Sequence, residues 1–299
     1  MKKMTPFDEK TVKLSNGEEL FYRKRKGGTD TLVLLHGNMN SSQNWDVLMN
    51  EISTDLTIYA LDLRGFGDST YHKPIESIKD FSDDLKDFAD KLKLKNFHLS
   101  GWSLGGNVAM QFAIDHPDYV DKLVLLSSGP ITGYPTPKKR FFGLFKTNEY
   151  LKTKEEIEKS VKMIETIREK KRRRLLRLIL NKSLYTHSKP NMARLVKYEG
   201  AFMKQRNLAD VNYALAYFNI AHEHNGVTDG DGSVDNIKAE TLIVHGEGDK
   251  IVPLKHAEKI KEALGDKAEL KTYSDAGHAV PIDKTKKLAE LYFDFLVGT

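Results

Sequence analysis

The strongest constraint on this chain is a series of short apolar runs that do not alternate with polar residues. Residues 31–35 (TLVLL), 56–61 (LTIYAL), 122–126 (KLVLL) and 241–245 (TLIVH) are nearly continuously apolar. Strands covered on both faces read this way, as parallel strands do when helices lie above and below them. Two further runs, 97–99 and 268–273, sit in the same series. Segments of helical period separate the runs, at 45–52, 78–92, 108–114, 255–264 and 284–296. Near the start, 11–14 and 19–23 flank Asn16-Gly17, a hairpin signal, so the sheet is expected to begin antiparallel. Strand and helix alternating in this order predict an α/β fold: a mostly parallel sheet of eight strands flanked by helices.

The alternation stops between about Gly129 and Ile237. That stretch shows no convincing strand and several helical segments, among them 155–166, where Ile157, Val161 and Ile164 line one face, 175–180 and 213–220. An insertion between the sixth and seventh strands is expected to form a helical cap. The expected division is core over 1–129, cap over 130–236 and core again over 237–299. Ligands of open α/β sheets bind beyond the carboxyl ends of the strands, so such a cap would cover the site.

Composition narrows the chemistry. The chain of 299 residues has no cysteine, which removes disulfides, thiol nucleophiles and cysteine-held metals. Lys and Arg (47) exceed Asp and Glu (42) to give a net charge of +5, too mild to indicate nucleic-acid binding. The first ten residues lack the apolar stretch of a signal peptide, and no apolar run approaches membrane-spanning length. A soluble cytoplasmic protein is the expectation.

One turn carries a candidate nucleophile. Gly101-Trp102-Ser103-Leu104-Gly105-Gly106 follows the apolar run at 96–100 and leads into a helix-forming segment. A serine hydroxyl is a weak nucleophile in water. It gains strength where a sharp turn exposes it, a histidine takes its proton and backbone N–H groups face the developing oxyanion. Gly101 and Gly105 would let strand and helix approach closely there. Taken alone, this is equally an ordinary glycine-rich turn.

With its downstream loops, the chain resembles the α/β-hydrolase family over nearly its whole length. The family's order is serine, then acid, then histidine. The segment His245-Gly246-Glu247-Gly248-Asp249-Lys250 resembles its acid loop, with Asp249 at the matching position. The segment Ser274-Asp275-Ala276-Gly277-His278 resembles its histidine loop. Glu247 and Asp275 are neighbouring carboxylates that remain alternatives to Asp249. The segment His36-Gly37-Asn38 resembles the family's oxyanion motif, implying the backbone N–H groups of Asn38 and Leu104 as donors, with His36 structural. Residues 62–69 resemble the loop after the fourth strand and read as scaffold.

The resemblance implies a serine hydrolase acting on carboxylic esters of small or medium acyl groups, with neither metal nor organic cofactor required. Met39, Trp102 and Leu104 are expected to line the pocket, although Trp102 reads equally well as core. Thioesterase, lactonase and other triad-dependent hydrolases remain open, as does a small-molecule receptor with slow turnover. Serine at the elbow argues against the dehalogenases and epoxide hydrolases of this fold, which use aspartate there. His116, His222 and His224 read as helix-end or surface residues, and 229–233 as a polar turn rather than a calcium loop. Two basic stretches, 138–146 and 170–180, read first as solvated cap surface. Weak contact with an anionic membrane surface is the second reading. Oligomeric state is not legible.

Overall fold

The computed structural model describes residues 7–140 and 145–298. Its main sheet has eight strands: β1 (Asp8–Lys13), β2 (Glu19–Arg25), β3 (Asp30–Leu35), β4 (Leu56–Leu61), β5 (Phe97–Trp102), β6 (Val120–Leu126), β9 (Glu240–Gly246) and β10 (Ala268–Tyr273). They lie in the order β1-β2-β4-β3-β5-β6-β9-β10. β1 and β2 pair antiparallel, β2 pairs antiparallel with β4, and the remaining pairs are parallel. The expected antiparallel start and parallel body are both present.

The unbroken apolar runs follow from the position of the sheet. Alternate residues point to opposite faces, and both faces are buried. Val33, Leu35, Leu99, Leu123, Leu125 and Ile243 face one core with helices α2 (Ile78–Lys91), α3 (Leu104–Asp115) and α8 (Lys255–Leu264). Leu32, Leu34, Trp102, Val124, Leu126, Leu242 and Val244 face the other. That second core takes in α1 (Asp46–Glu51), α9 (Val280–Asp283), α10 (Thr285–Leu296) and the inner side of the inserted segment.

Register brings the strand ends together. Leu35 pairs with Gly101, Trp102 with Leu126, Leu126 with Val244, and Gly246 with Tyr273. The loops leaving β3, β5, β9 and β10 therefore emerge along one edge.

Between β6 and β9 lie β7 (Pro137–Arg140), β8 (Phe145–Tyr150), α4 (Lys154–Glu169), α5 (Arg173–Ser183), α6 (Met192–Met203) and α7 (Leu208–Tyr217). The expectation of no strand here is corrected: β7 and β8 form an antiparallel two-stranded ribbon. Its sequences, PKKR and FKTNEY, carry no alternating apolar face, so backbone pairing shapes the ribbon without a hydrophobic signature. Periodicity does not single out α6, and α7 covers Leu208–Tyr217 where the sequence predicts 213–220. Of the basic stretch 138–146, residues 141–144 lie outside the described residues, and Lys138 pairs with Glu156 at 3.1 Å.

Polar contacts fasten this segment to the core. Tyr198 on α6 donates to Asp46 at 2.6 Å. Arg206 N–H donates to Gly65 O at 2.8 Å, and Asn207 Nδ2 donates to Arg64 O at 2.7 Å. Arg64 in turn forms a buried two-pronged ion pair with Asp84, at 2.6 and 2.8 Å. The loop at 62–69 is scaffold as expected: Asp62 accepts from the N–H groups of Ser42 at 2.7 Å and Asp68 at 2.9 Å.

Candidate active site

Ser103 stands between β5 and α3 with φ 56° and ψ −119°. A non-glycine residue at positive φ is strained, by roughly 1–3 kcal/mol, and such strain persists only where its surroundings enforce it. Here they do. Ser103 N–H donates to Leu126 O at 3.0 Å, and Ser103 O accepts from Gly106 N at 2.8 Å and Gly129 N at 3.1 Å. The two glycines are required by close approach. A Cβ on Gly101 would sit 2.1 Å from Gly105 O, and one on Gly105 would sit 2.2 Å from Leu35 O. Strand and helix thus meet at backbone distance, and the serine is lifted at the junction.

The acid and the histidine meet across two loops. His278 Nδ1 lies 2.7 Å from Asp249 Oδ2, within a buried pair. The other Asp249 oxygen accepts from the N–H groups of Ile251 and Val252, each at 2.8 Å. Burial pushes the Asp249 carboxyl up, but the His278 contact and these N–H groups outweigh it, so it sits below the usual carboxylate range. An ionised Asp249 holds the proton of His278 on Nδ1 and leaves Nε2 as the free lone pair. The two neighbouring carboxylates are engaged elsewhere: Glu247 is exposed and accepts from Thr272 at 2.9 Å, while Asp275 is exposed and pairs with Lys284.

The histidine loop is fixed beside the serine. Trp102, immediately before Ser103, donates its indole N–H to His278 O at 2.9 Å, with the two rings 6.0 Å apart. The Trp102 ring is 1% exposed and packs edge-on against Trp45. Its place is therefore the core, where it anchors the loop, rather than an open pocket wall. Asp283 adds a second anchor, accepting from Gly277 N at 2.9 Å and from Ser188 N of the inserted segment at 2.7 Å.

The loop after β3 closes against the elbow. A Cβ on Gly37 would lie 3.0 Å from Ser103 Cβ, so Asn38 follows at the serine's side. Among the described residues neither Asn38 N–H nor Leu104 N–H donates to a protein acceptor. Leu104 opens α3, where the first N–H groups have no carbonyl within their own helix. Met39 adopts φ 63°, donates to Asn38 Oδ1 at 3.0 Å and packs partly buried beside the second core. His36 is structural as expected. Its Nε2 accepts from Leu63 N at 3.1 Å and its Nδ1 bonds Gly37 O at 2.8 Å, while burial holds its pKa below the ordinary value.

Sequence reading missed Gln205. It lies between α6 and α7, 1% exposed, and its Nε2 donates to Asn38 Oδ1 at 2.8 Å and Asn207 Oδ1 at 3.1 Å. Its Oε1 is buried without a partner among the described residues. The inserted segment thus grips the loop that presents Asn38. No local pattern marks a lone glutamine in a loop for this role.

Other polar groups lie elsewhere. A cavity of about 760 Å³ is lined in part by Tyr134, Tyr150, His224, Lys255 and His256, and neither Ser103 nor His278 borders it. Asp83, Asp115 and His116 bring ligand-type atoms within 4.8 Å of one another. His116 caps the far end of α3, roughly 18 Å along the helix from Ser103. Asp83 pairs with Lys79, and Asp115 accepts from Ser82 and Gln111. His222 pairs at the surface with Asp235 at 3.1 Å, His224 accepts from Gly226 N, and 229–233 is a polar turn in which Asp231 accepts from Ser233 N.

Comparison with known proteins agrees with this architecture. The family described as alpha/beta hydrolase fold matches residues 30–285. An uncharacterized protein of Mycobacterium tuberculosis is 33% identical over 106 residues, 36% of this chain and 31% of that protein, so the chain spans about a third of that relative's length. A 2-hydroxymuconate semialdehyde hydrolase of Pseudomonas is 24% identical over 292 residues, covering 89% of this chain and 86% of the other. Among solved structures, an esterase from Exiguobacterium antarcticum superposes with a TM-score of 0.74 at 19% identity, covering 96% of this chain and 99% of that one.

Proposed function

The chain belongs to the alpha/beta hydrolase family, and we propose that within it the protein is a serine hydrolase that cleaves carboxylic esters of small or medium acyl groups. The observation that carries this reading is the 2.7 Å Asp249–His278 pair on loops at the same sheet edge as a strained Ser103. In the proposed mechanism Ser103 Oγ attacks the acyl carbonyl while His278 Nε2 takes its proton. Asp249 holds the imidazole in the required tautomer and stabilises the imidazolium. The oxyanion is met by the N–H groups of Leu104 and Asn38, each contributing roughly 3 kcal/mol to the transition state. His278 then delivers its proton to the leaving alcohol. Water, activated by the same histidine, releases the acid and regenerates the serine.

The division into core (1–129 and 237–299) and cap (130–236) belongs to this proposal, with the cap's Gln205 bearing on the oxyanion loop. Hydrolysis of a 2-hydroxymuconate semialdehyde is the second reading, favoured by the near full-length match to the Pseudomonas hydrolase of that name. The test is labelling with a fluorophosphonate followed by a hydrolysis panel of esters, thioesters, lactones and 2-hydroxymuconate semialdehyde. Labelling at Ser103 that disappears in Ser103→Ala supports the nucleophile, and labelling that survives the substitution overturns it. Tight binding without turnover across the panel would favour a receptor instead.

A further inference from the structure

The basic run at 170–174 is not used by the site above. Lys170 caps the end of α4, and Lys171, Arg172, Arg173 and Arg174 form the corner into α5. All five are exposed, and among the described residues none is matched by a carboxylate. Helix α5 buries Leu176 and Leu180 on its inner side. Its outer side is not purely polar. Leu178 is 64% exposed and Leu175 39%. Arg174 and Lys182 lie one turn before and one turn after Leu178, on the same face. Met163, 67% exposed, lies two turns before Lys170 and shares its side of α4. Arg177, by contrast, is committed to Glu199 at 2.6 Å and ties α5 to α6.

We propose that this corner docks on an anionic lipid surface, with Leu175 and Leu178 entering the boundary between headgroups and acyl chains and the surrounding cations meeting the lipid charges. Leu175 and Leu178, three residues apart, form an outward apolar pair set among cations, the combination found in helices that lie in a bilayer interface. The long basic side chains extend beside the leucines and keep their charges at headgroup level. A second copy of this chain fits poorly, because two corners of five unpaired cations repel. Nucleic acid fits poorly too, because the exposed leucines offer neither a charge to the phosphates nor a ring for base stacking. One short helix makes the contact reversible and salt-sensitive. The proposal is independent of the catalytic reading.

The experiment is sedimentation of the full chain with vesicles of phosphatidylcholine alone and with about 30% phosphatidylserine, at low and high salt. Binding is expected only to the anionic vesicles and is expected to weaken as salt rises. Removing one cation should lower partitioning about fivefold, so Arg173→Gln with Arg174→Gln should lower it roughly 25-fold. Leu178→Ser, at the more exposed of the two leucines, should lower it at least about tenfold while thermal unfolding stays within about 3 °C of the parent. Four results would each overturn the idea. These are no binding to anionic vesicles at low salt, equal binding to neutral vesicles, anionic binding indifferent to Leu178→Ser, and a dimer in solution that the same substitution dissociates.

Discussion

The substitution Asp249→Asn exchanges one carboxylate oxygen for an NH₂ group and tests the whole arrangement. The Oδ1 of Asp249 takes two backbone N–H groups at 2.8 Å, from Ile251 and Val252, and only an oxygen can accept them. The introduced amide must therefore keep its oxygen there and turn its NH₂ toward His278 Nδ1, which in the parent makes the 2.7 Å contact with Oδ2. Nδ1 must then become the acceptor, and the imidazole proton moves to Nε2, the atom that has to receive the proton of Ser103. The His245 Nε2, 3.4 Å from the same carboxylate, already donates to Val252 O at 2.8 Å and offers no relief. The geometry survives while the tautomer is wrong. A loss of about 10⁴ in kcat is expected, as for the equivalent change in serine proteases, or about 5.5 kcal/mol in barrier. KM should change little, and thermal unfolding should stay within about 3 °C of the parent. Steady-state kinetics on the best ester of the panel measures this. A folded variant whose kcat lies within about tenfold of the parent would refute the assignment of Asp249.

Other expectations follow from the same contacts. Gln205→Ala removes the 2.8 Å donor to Asn38 and should lower kcat about three- to tenfold with little effect on KM, since a net hydrogen bond is worth roughly 1 kcal/mol; an unchanged kcat in a variant that still melts lower would make the contact purely structural. Gly101→Ala places a methyl 2.1 Å from Gly105 O, so a stability loss on the order of 3 kcal/mol or insoluble protein is expected, and a normal urea midpoint would contradict the close approach. His36 and His245 are held neutral by burial, with pKa values below the ordinary one, so the unfolded chain binds more protons below about pH 6.5. Unfolding free energy should therefore fall as pH drops from about 7.5 to 5, and urea titrations showing constant or rising stability would refute this. Asp249, lowered instead of raised, adds stability above about pH 4 that is lost only as pH falls through its folded value.

What could be read from residue order was whatever has a local physical cause. Unbroken apolar runs require burial on both faces, so the inner parallel strands were visible in the sequence, while the antiparallel start showed through the Asn16-Gly17 turn instead. A turn with glycines two residues on either side of Ser103 marked the elbow, because no Cβ fits where strand and helix backbones touch. The β7–β8 ribbon was hidden because the sequences PKKR and FKTNEY carry no alternating apolar pattern. The resemblance pointed to Asp249 but left two neighbouring carboxylates as alternatives, and tertiary structure shows which of the three contacts His278. Asp249 meets His278 across the loops that leave β9 and β10, while Glu247 and Asp275 stand exposed on those same loops with Thr272 and Lys284 as partners. Tertiary structure also settled Trp102 into the core, one of its two readings, and brought Gln205 to Asn38 across 167 residues. Such contacts depend on where distant loops arrive, and that is set by packing and strand register, which no short stretch of sequence encodes by itself.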